Sequence, residues 1–506
     1  MSLSLLSTTA APPLAAVWPR YPSVYEVNTW VWLAELSRKY GTHVTLSSVP
    51  AAEWNAIAQG FDAVWLMGVW ERSAASIAIA NGNQTLVDDF KRALPDFSPA
   101  DNVGSPYCVR NYVVDERLGG PRGLAASRRE LARRGMKLVL DFVPNHVAPD
   151  HPWVRQHPEY FIRGDAADIG KDRSSFVEIG GTVFALGRDP FLPPWPDVLQ
   201  LNAFHPGLRK AVSETLSGIA DQCDGVRCDM AMLVTNVTLE RTWGVRAGER
   251  PATEYWVDVI SKIKRRHPNF LFIAEVYWDL EWELQQQGFD FCYDKKLYER
   301  LEHTDAEAVR LHLCAEPAYQ DKLLRFVENH DEPRAAAAFL PEKERPAALT
   351  TATLPGTKLF HEGQLEGRRV RVPVFLARRP NEPVDEGLHE FYRKLLDTIR
   401  QPVFREGQWS LCGRNGWADN PSFYNLVAWT WMRGNERYLI AVNLGASPVE
   451  AQVQVPWAGT SSGHWRLVDV FSNATYERNG AEMLSPGLYV ELGPWGYHFF
   501  RCLYER

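Results

Sequence analysis

Eight short, apolar, β-prone runs recur between Val24 and Phe360, and helix-like stretches separate most of them. They are Val24–Trp32, Phe61–Trp70, Met136–Val143, Cys223–Asp229, Asn269–Val276, Phe289–Tyr293, Leu323–Asn329 and Thr357–Phe360. The helical stretches are Pro121–Arg134, His205–Gln222, Pro251–Arg266 and Asp305–Cys314. A strand that is apolar on both faces must be covered on both, and helices alternating with strands of a parallel sheet supply that cover. Eight such units predict an α/β chain folded as a (β/α)8 TIM barrel, whose functional side chains sit at the C-terminal strand ends.

Two of the gaps are too long for a plain helical crossover. One, between Trp70 and Met136, contains Gly104–Tyr112; the other, between Val143 and Cys223, holds the Pro- and Gly-rich stretch Pro144–Leu201. A segment this long and irregular reads as a small inserted domain over the barrel mouth rather than a loose loop. The expected division is therefore a barrel over 1–143 and 202–400, with an inserted domain after strand three over 144–201. After Pro383 the cadence changes. One more helix, Leu388–Ile399, is followed by alternating runs at Tyr424–Met432, Tyr438–Leu444, Val449–Val455 and Tyr489–Leu492, separated by Gly, Asn and Pro turns. That pattern predicts a C-terminal antiparallel β-sandwich over 401–506.

Composition narrows the partners. At about 150 residues per domain, 506 residues suit about three domains and a large core. Lys and Arg number 55 against 62 Asp and Glu, a net charge of −7, so there is no basic field to gather nucleic acid or anionic lipid. Seven scattered cysteines form neither a disulfide framework nor a zinc pattern and read as buried or reduced thiols. No Lys or Arg precedes Arg20, so the mildly apolar start, Met1 to Val17, lacks the basic opening of a signal peptide. No apolar run approaches the roughly 18–20 residues that span a bilayer. The expected protein is cytoplasmic, with no membrane partner. Nineteen Trp residues serve large cores or flat, ring-shaped ligands.

Four strand ends carry acidic or polar residues that a core would not choose. They read Leu138-Val139-Leu140-Asp141-Phe142-Val143-Pro144-Asn145-His146-Val147, Gly225-Val226-Arg227-Cys228-Asp229, Phe272-Ile273-Ala274-Glu275-Val276-Tyr277 and Phe326-Val327-Glu328-Asn329-His330-Asp331-Glu332. Period-two alternation puts Arg227 and Asp229 on one face, where the guanidinium favours the charged carboxylate, and turns Cys228 outward. Carboxylates at the ends of strands four, five and seven would converge on one cleft, an arrangement suited to glycoside cleavage. Asp229 would attack the sugar carbon, Glu275 would protonate the leaving oxygen, and a sugar–enzyme ester would form and be hydrolysed. Asp331 would bind sugar hydroxyls and stabilise the cationic transition state.

These strand ends resemble the four motifs of the α-amylase family, glycoside hydrolase family thirteen. The motifs are matched by Asp141 to Val147, Gly225 to Asp229, Ala274 to Val276 and Phe326 to Asp331. Subsidiary matches are Gly104-Ser105-Pro106-Tyr107, Trp195 to Asn202, and Pro355-Gly356 through Gly363-Gln364. The resemblance implies the same roles for Asp229, Glu275 and Asp331. It adds Arg227 as the partner of the nucleophile, His146 and His330 as donors to the sugar in the cleaved subsite, and Tyr107 stacked on that sugar. The chain departs from the family at Met232 and Leu233, where many amylases carry a Lys-His pair that serves acceptor sugar and a structural calcium. No cofactor is required, and the calcium is left with one family ligand, Asn145, which is read first as a residue ordering the loop. Cys108 stands near a position where some exo-acting relatives have an Asp that recognises the terminal sugar. Trp278, three residues past the acid/base, is the acceptor-side platform; Trp70, Trp195 and Tyr277 divide between platform and packing. Glu328 and Glu332 are expected to be ion-paired or solvent-exposed rather than catalytic, and Asp141 to organise the site.

The leading expectation is a retaining α-glycosidase that hydrolyses α-linked oligo- or polysaccharide. A transglycosylase or sugar isomerase using the same intermediate is the alternative, and a non-catalytic carbohydrate-binding barrel the remote one. In the sandwich, Trp409, Trp417, Trp429 and Trp431 are nominal polysaccharide contacts, with packing against the barrel as the competing role. Linkage preference, endo or exo action and oligomeric state are open at this point.

Overall fold

The computed structural model describes residues 17–303, 306–457 and 463–505. Met1 to Ala16 of the apolar start, and Asp305 of the helix expected over Asp305–Cys314, lie outside the described residues.

All eight expected strands are present. They are β1 (Ser23–Asn28), β2 (Ala63–Met67), β3 (Lys137–Phe142), β4 (Gly225–Cys228), β5 (Leu271–Ala274), β6 (Phe291–Tyr293), β7 (Leu323–Arg325) and β8 (Thr357–His361). Every neighbouring pair is parallel, and the order β1-β8-β7-β6-β5-β4-β3-β2 closes into a barrel. β2 and β3 are buried along their whole length, as strands covered on both faces must be.

The covering helices include α1 (Thr29–Tyr40), α2 (Gly120–Arg133), α3 (Pro206–Ala220), α4 (Tyr255–Arg266), α5 (Ala306–Leu313), α6 (Pro341–Thr353) and α7 (Glu386–Ile399). α3 buries Leu208, Val212, Leu216 and Ile219, one apolar stripe at helical spacing. Its neighbour α4 turns Tyr255, Trp256, Val259, Ile260 and Ile263 inward. No helix among the described residues is long and apolar enough to cross a membrane.

Between β3 and β4 the chain makes short helices, a two-stranded hairpin (Phe176–Ile179 with Thr182–Ala185) and a returning strand. That strand, Leu199–Gln200, pairs with His146–Val147 directly after β3, so the insertion is anchored at the barrel mouth.

The C-terminal part is antiparallel, as its alternating pattern requires. Its strands are β9 (Gln408–Leu411), β10 (Gly413–Asn415), β11 (Leu426–Arg433), β12 (Glu436–Asn443), β13 (Val449–Gln454), β14 (His464–Asp469), β15 (Thr475–Asn479), β16 (Leu488–Leu492) and β17 (Tyr497–Glu505). A six-stranded sheet, β9-β11-β12-β17-β14-β15, faces a three-stranded one, β10-β13-β16. Leu439, Ala441, Val449, Ala451, Val453, Leu467 and Val490 share the core between them. The opposite side of the large sheet joins the barrel core through Trp429, Trp431, Ile440, Val442 and Phe499. The Trp431 indole N–H donates to Thr353 O of α6 at 2.6 Å. Trp429 and Trp431 therefore pack rather than bind sugar, whereas Trp417 remains on the surface.

Candidate active site

The site is built where the strands end. Arg227 and Asp229 share a face of β4 and its extension, and the Arg227 Nη1 to Asp229 Oδ1 distance is 2.7 Å. Arg227 is not the partner of Asp229 alone. Its Nη2 lies 2.7 Å from Glu275 Oε2 and 3.9 Å from Asp331 Oδ2, so one fully buried guanidinium gathers all three acids. Its charge is steadied by aromatic faces, with Tyr107, Trp65 and Tyr293 rings 5.0, 5.3 and 5.8 Å from the guanidinium carbon.

The turn after Asp229 is specialised. Met230 adopts φ 42° and ψ 47°, a left-handed conformation that non-glycine residues resist. That turn aims the Met230 backbone N–H at Glu275 Oε2, 2.6 Å away. The other Glu275 oxygen accepts from the Tyr277 hydroxyl at 2.7 Å, a contact the sequence reading did not foresee. Burial pushes the Glu275 carboxyl up to about 7 against the opposing pull of Arg227, with Asp229 adding repulsion. Asp229 is also raised above the ordinary aspartate value: burial dominates, while its Arg227 contacts resist. Asp331 behaves oppositely. Burial acts to raise it, but the His330 ring 2.9 Å from its Oδ2 carries it down to about 2. Its side chain is 45% exposed to the cleft, against 7% for Asp229 and 4% for Glu275.

Two of the expected sugar contacts, Tyr107 and His146, line the cleft, while Arg227 and His330 stand behind the lining against Asp229 and Asp331. A cleft of about 360 Å³ is lined by Tyr107, His146, Trp195, Asp229, Glu275, Tyr277 and Asp331, together with Ser105, Asp197, Met230 and Phe375. Tyr107 reaches it because Gly104, at φ 88°, turns the preceding loop; its hydroxyl lies 2.6 Å from His330 Nε2. His146 packs against Trp195 at 5.2 Å, and burial holds its ring neutral by lowering its value to about 4. Trp278 lies apart from the acids: it is 37% exposed, outside the cleft lining, and meets Phe191 of the inserted segment edge to face at 4.9 Å.

The supporting residues have definite partners. Asp141 accepts from Trp65 Nε1 at 3.1 Å and from Gly68 N at 3.0 Å, tying the end of β2 to β3. Glu328 pairs with Arg334, and Glu332 with Lys295. Cys228 is buried, as its outward orientation predicts. Cys108 is buried too, its thiol donating to Asp197 O. Glu26 of β1, Trp65 and Tyr293 were not singled out from sequence, although an acid within the apolar run Val24–Val27 is the same signal that identified Glu275.

The residues present do not fit the calcium implied by the resemblance. A single amide nitrogen, Gln200 Nε2, donates to Asn145 Oδ1 at 2.8 Å, Leu201 O at 3.0 Å and Asn145 O at 3.1 Å. Oxygens that a cation would collect already face a hydrogen-bearing nitrogen. Among the described residues no three His, Cys, Asp or Glu side chains are grouped as a metal site needs.

No known family model matches the chain. It is 27% identical over 349 residues to an α-amylase of Haloarcula japonica, covering 66% of this chain and 47% of that protein. It is 26% identical over 245 residues to an α-1,4-glucan:maltose-1-phosphate maltosyltransferase of Bifidobacterium longum, covering 46% of this chain and 26% of that protein. The chain thus spans about half the length of the first relative and about a quarter of the second. Among solved structures, a maltogenic α-amylase from Thermotoga neapolitana superposes with a TM-score of 0.66 at 18% identity, covering 96% of this chain and 99% of that one. The four motifs that resemble those of the α-amylase family thus stand at the ends of β3, β4, β5 and β7 of a barrel whose fold is shared with that protein.

Proposed function

We propose that the chain is a retaining α-glycosidase acting on α-linked glucosides. The observation that carries this reading is the gathering of Asp229, Glu275 and Asp331 around Arg227 at the mouth of the barrel. Glycosidic bond cleavage needs an ionised nucleophile and a protonated acid in one water-poor site. Asp229, held by Arg227, supplies the nucleophile. Its oxygen bonds to the anomeric carbon as the glycosidic C–O bond breaks, and Glu275 gives its proton to the departing oxygen. Glu275, now a carboxylate, takes a proton from water as that water displaces Asp229 from the sugar. Asp331 remains ionised throughout and offers its exposed oxygen to sugar hydroxyls. His146, His330 and Tyr107 complete the recognition of the cleaved residue.

Transfer to a sugar acceptor is the second reading. The exposed Phe191–Trp278 pair favours it, because an aromatic face outside the cleft offers a platform to the outer rings of a longer acceptor sugar. In either reading no calcium is needed, since Gln200 joins the inserted segment to the barrel mouth.

Incubation with maltose, a maltooligosaccharide, sucrose, trehalose and isomaltose, followed by chromatography, tests both readings. Glucose or shorter oligosaccharides accumulating alone support hydrolysis; longer or isomerised sugars appearing early support transfer. Absence of any product across this panel and a wider set of α-glucosides would overturn both.

A further inference from the structure

Glu26 is an acid inside a barrel strand, between Tyr25 and Val27 of β1, in register with Trp65 on β2 and His361 on β8. It is fully buried. Its Oε1 lies 2.5 Å from His330 Nδ1, and its Oε2 has no hydrogen-bond partner among the described residues. The second ring nitrogen of His330, Nε2, lies 2.9 Å from Asp331 Oδ2 and 2.6 Å from the Tyr107 hydroxyl. A neutral imidazole has one N–H and one bare nitrogen, and a bare nitrogen set against a carboxylate opposes two lone pairs. With a carboxylate at each nitrogen, the ring is satisfied as an imidazolium that donates from both ends.

We propose that Glu26 is a positioning residue of the cleft: it keeps the His330 ring doubly protonated and turned toward Asp331, fixing an N–H donor beside an ionised carboxylate where the sugar binds. Glu26 acts through His330 and does not itself line the cleft. This inference deepens the glycosidase reading and rests on it for its sugar.

The other neighbours of the ring do not supply this role. Trp65 meets it edge-on at 5.5 Å and Tyr107 stacks at 5.4 Å. Asp141 on β3 is occupied by Trp65 Nε1 and Gly68 N. His361 on β8 receives Arg334 Nη1 at 2.6 Å, and burial holds it neutral, down to about 3. Burial alone would lower His330 too; Asp331 and Glu26 raise it to about 10. The imidazolium therefore persists below about 10, and loss of one carboxylate moves its deprotonation toward neutral pH.

The test uses the full chain with 15N-labelled histidine, reading ring N–H signals by NMR without any sugar. One ring of the 13 is expected to keep both N–H groups above about pH 8, and Glu26→Gln to leave that ring with one. A native chain whose rings are all singly protonated there, or an unchanged pattern in Glu26→Gln, overturns the proposal. The second readout is kcat/KM on a maltooligosaccharide. Glu26→Gln is expected to lose about 10- to 100-fold, the range seen when the partner behind a metal-ligating histidine is removed. The loss should grow between about pH 6 and 8, and Glu26→Asp should restore part of it. A loss of equal size at every pH would reduce Glu26 to packing and overturn the positioning role. If the native chain cleaves no α-glucoside while the NMR signature holds, the glycosidase reading fails and the Glu26–His330 pairing stands.

Discussion

Glu275 is the residue whose chemistry is most exposed to measurement. Its carboxyl, raised by burial to about 7, must carry a proton to act as an acid. kcat/KM should therefore fall tenfold per pH unit above about 7, a slope read from a pH–rate profile of the free enzyme. On the acid side the rate should fall as Asp229, itself raised by burial, takes up a proton and ceases to be a nucleophile. Asp229→Asn should cost turnover about 10⁴-fold or more, with the fold intact by circular dichroism. Glu275→Gln should be as damaging with a sugar leaving group and far milder with an activated one, because only the former needs the proton. The three acids were legible because each ends an apolar strand where burial would otherwise forbid it. The pairing of Glu26 with His330 and the Tyr277 hydrogen bond were not, since each depends on which side chain another strand or loop presents. Arg227 was assigned to Asp229 by alternation along one strand. That rule could not show that its other nitrogen reaches Glu275 on the neighbouring strand.

At the scale of elements, the barrel strands were readable from hydrophobic runs, but their ends were set by capping rather than hydrophobicity. The run Val24–Trp32 divides at Asn28, whose side chain accepts from Val31 N and starts α1, and the apolar residues resume at Trp30 inside the helix. The run Leu323–Asn329 gives only three strand residues before the chain turns to present His330 and Asp331. The junction of the inserted segment offers a sharper test. Gln200→Ala would leave the buried Asn145 Oδ1 and Leu201 O without their donor, a cost of about 1–3 kcal/mol in unfolding free energy. For the native chain, chelator and added calcium should leave the melting temperature unchanged. Gln200→Glu sets a carboxylate among those oxygens, an environment that suits a hard cation. That variant should melt lower in chelator and recover with calcium. A native melting temperature that drops in chelator would contradict the hydrogen-bonded junction.

For the whole molecule, the sandwich completes the barrel core instead of standing apart from it. Trp431 is buried against Tyr21 and Phe404 and donates to α6, so Trp431→Ala should destabilise the protein by about 3–5 kcal/mol in denaturant titration. Alternation predicted the sandwich strands, yet it could not say which Trp residues face the barrel, because that depends on how the two parts dock. The central claim is that Asp229 becomes covalently bonded to sugar. The most direct measurement incubates Glu275→Gln with an α-glucosyl fluoride, whose leaving group needs no acid, and examines the protein by mass spectrometry. Without Glu275 to activate water, the intermediate should accumulate as one added glucosyl unit on the peptide that contains Asp229. Turnover of the fluoride with no adduct, or an adduct on another residue, would contradict the account.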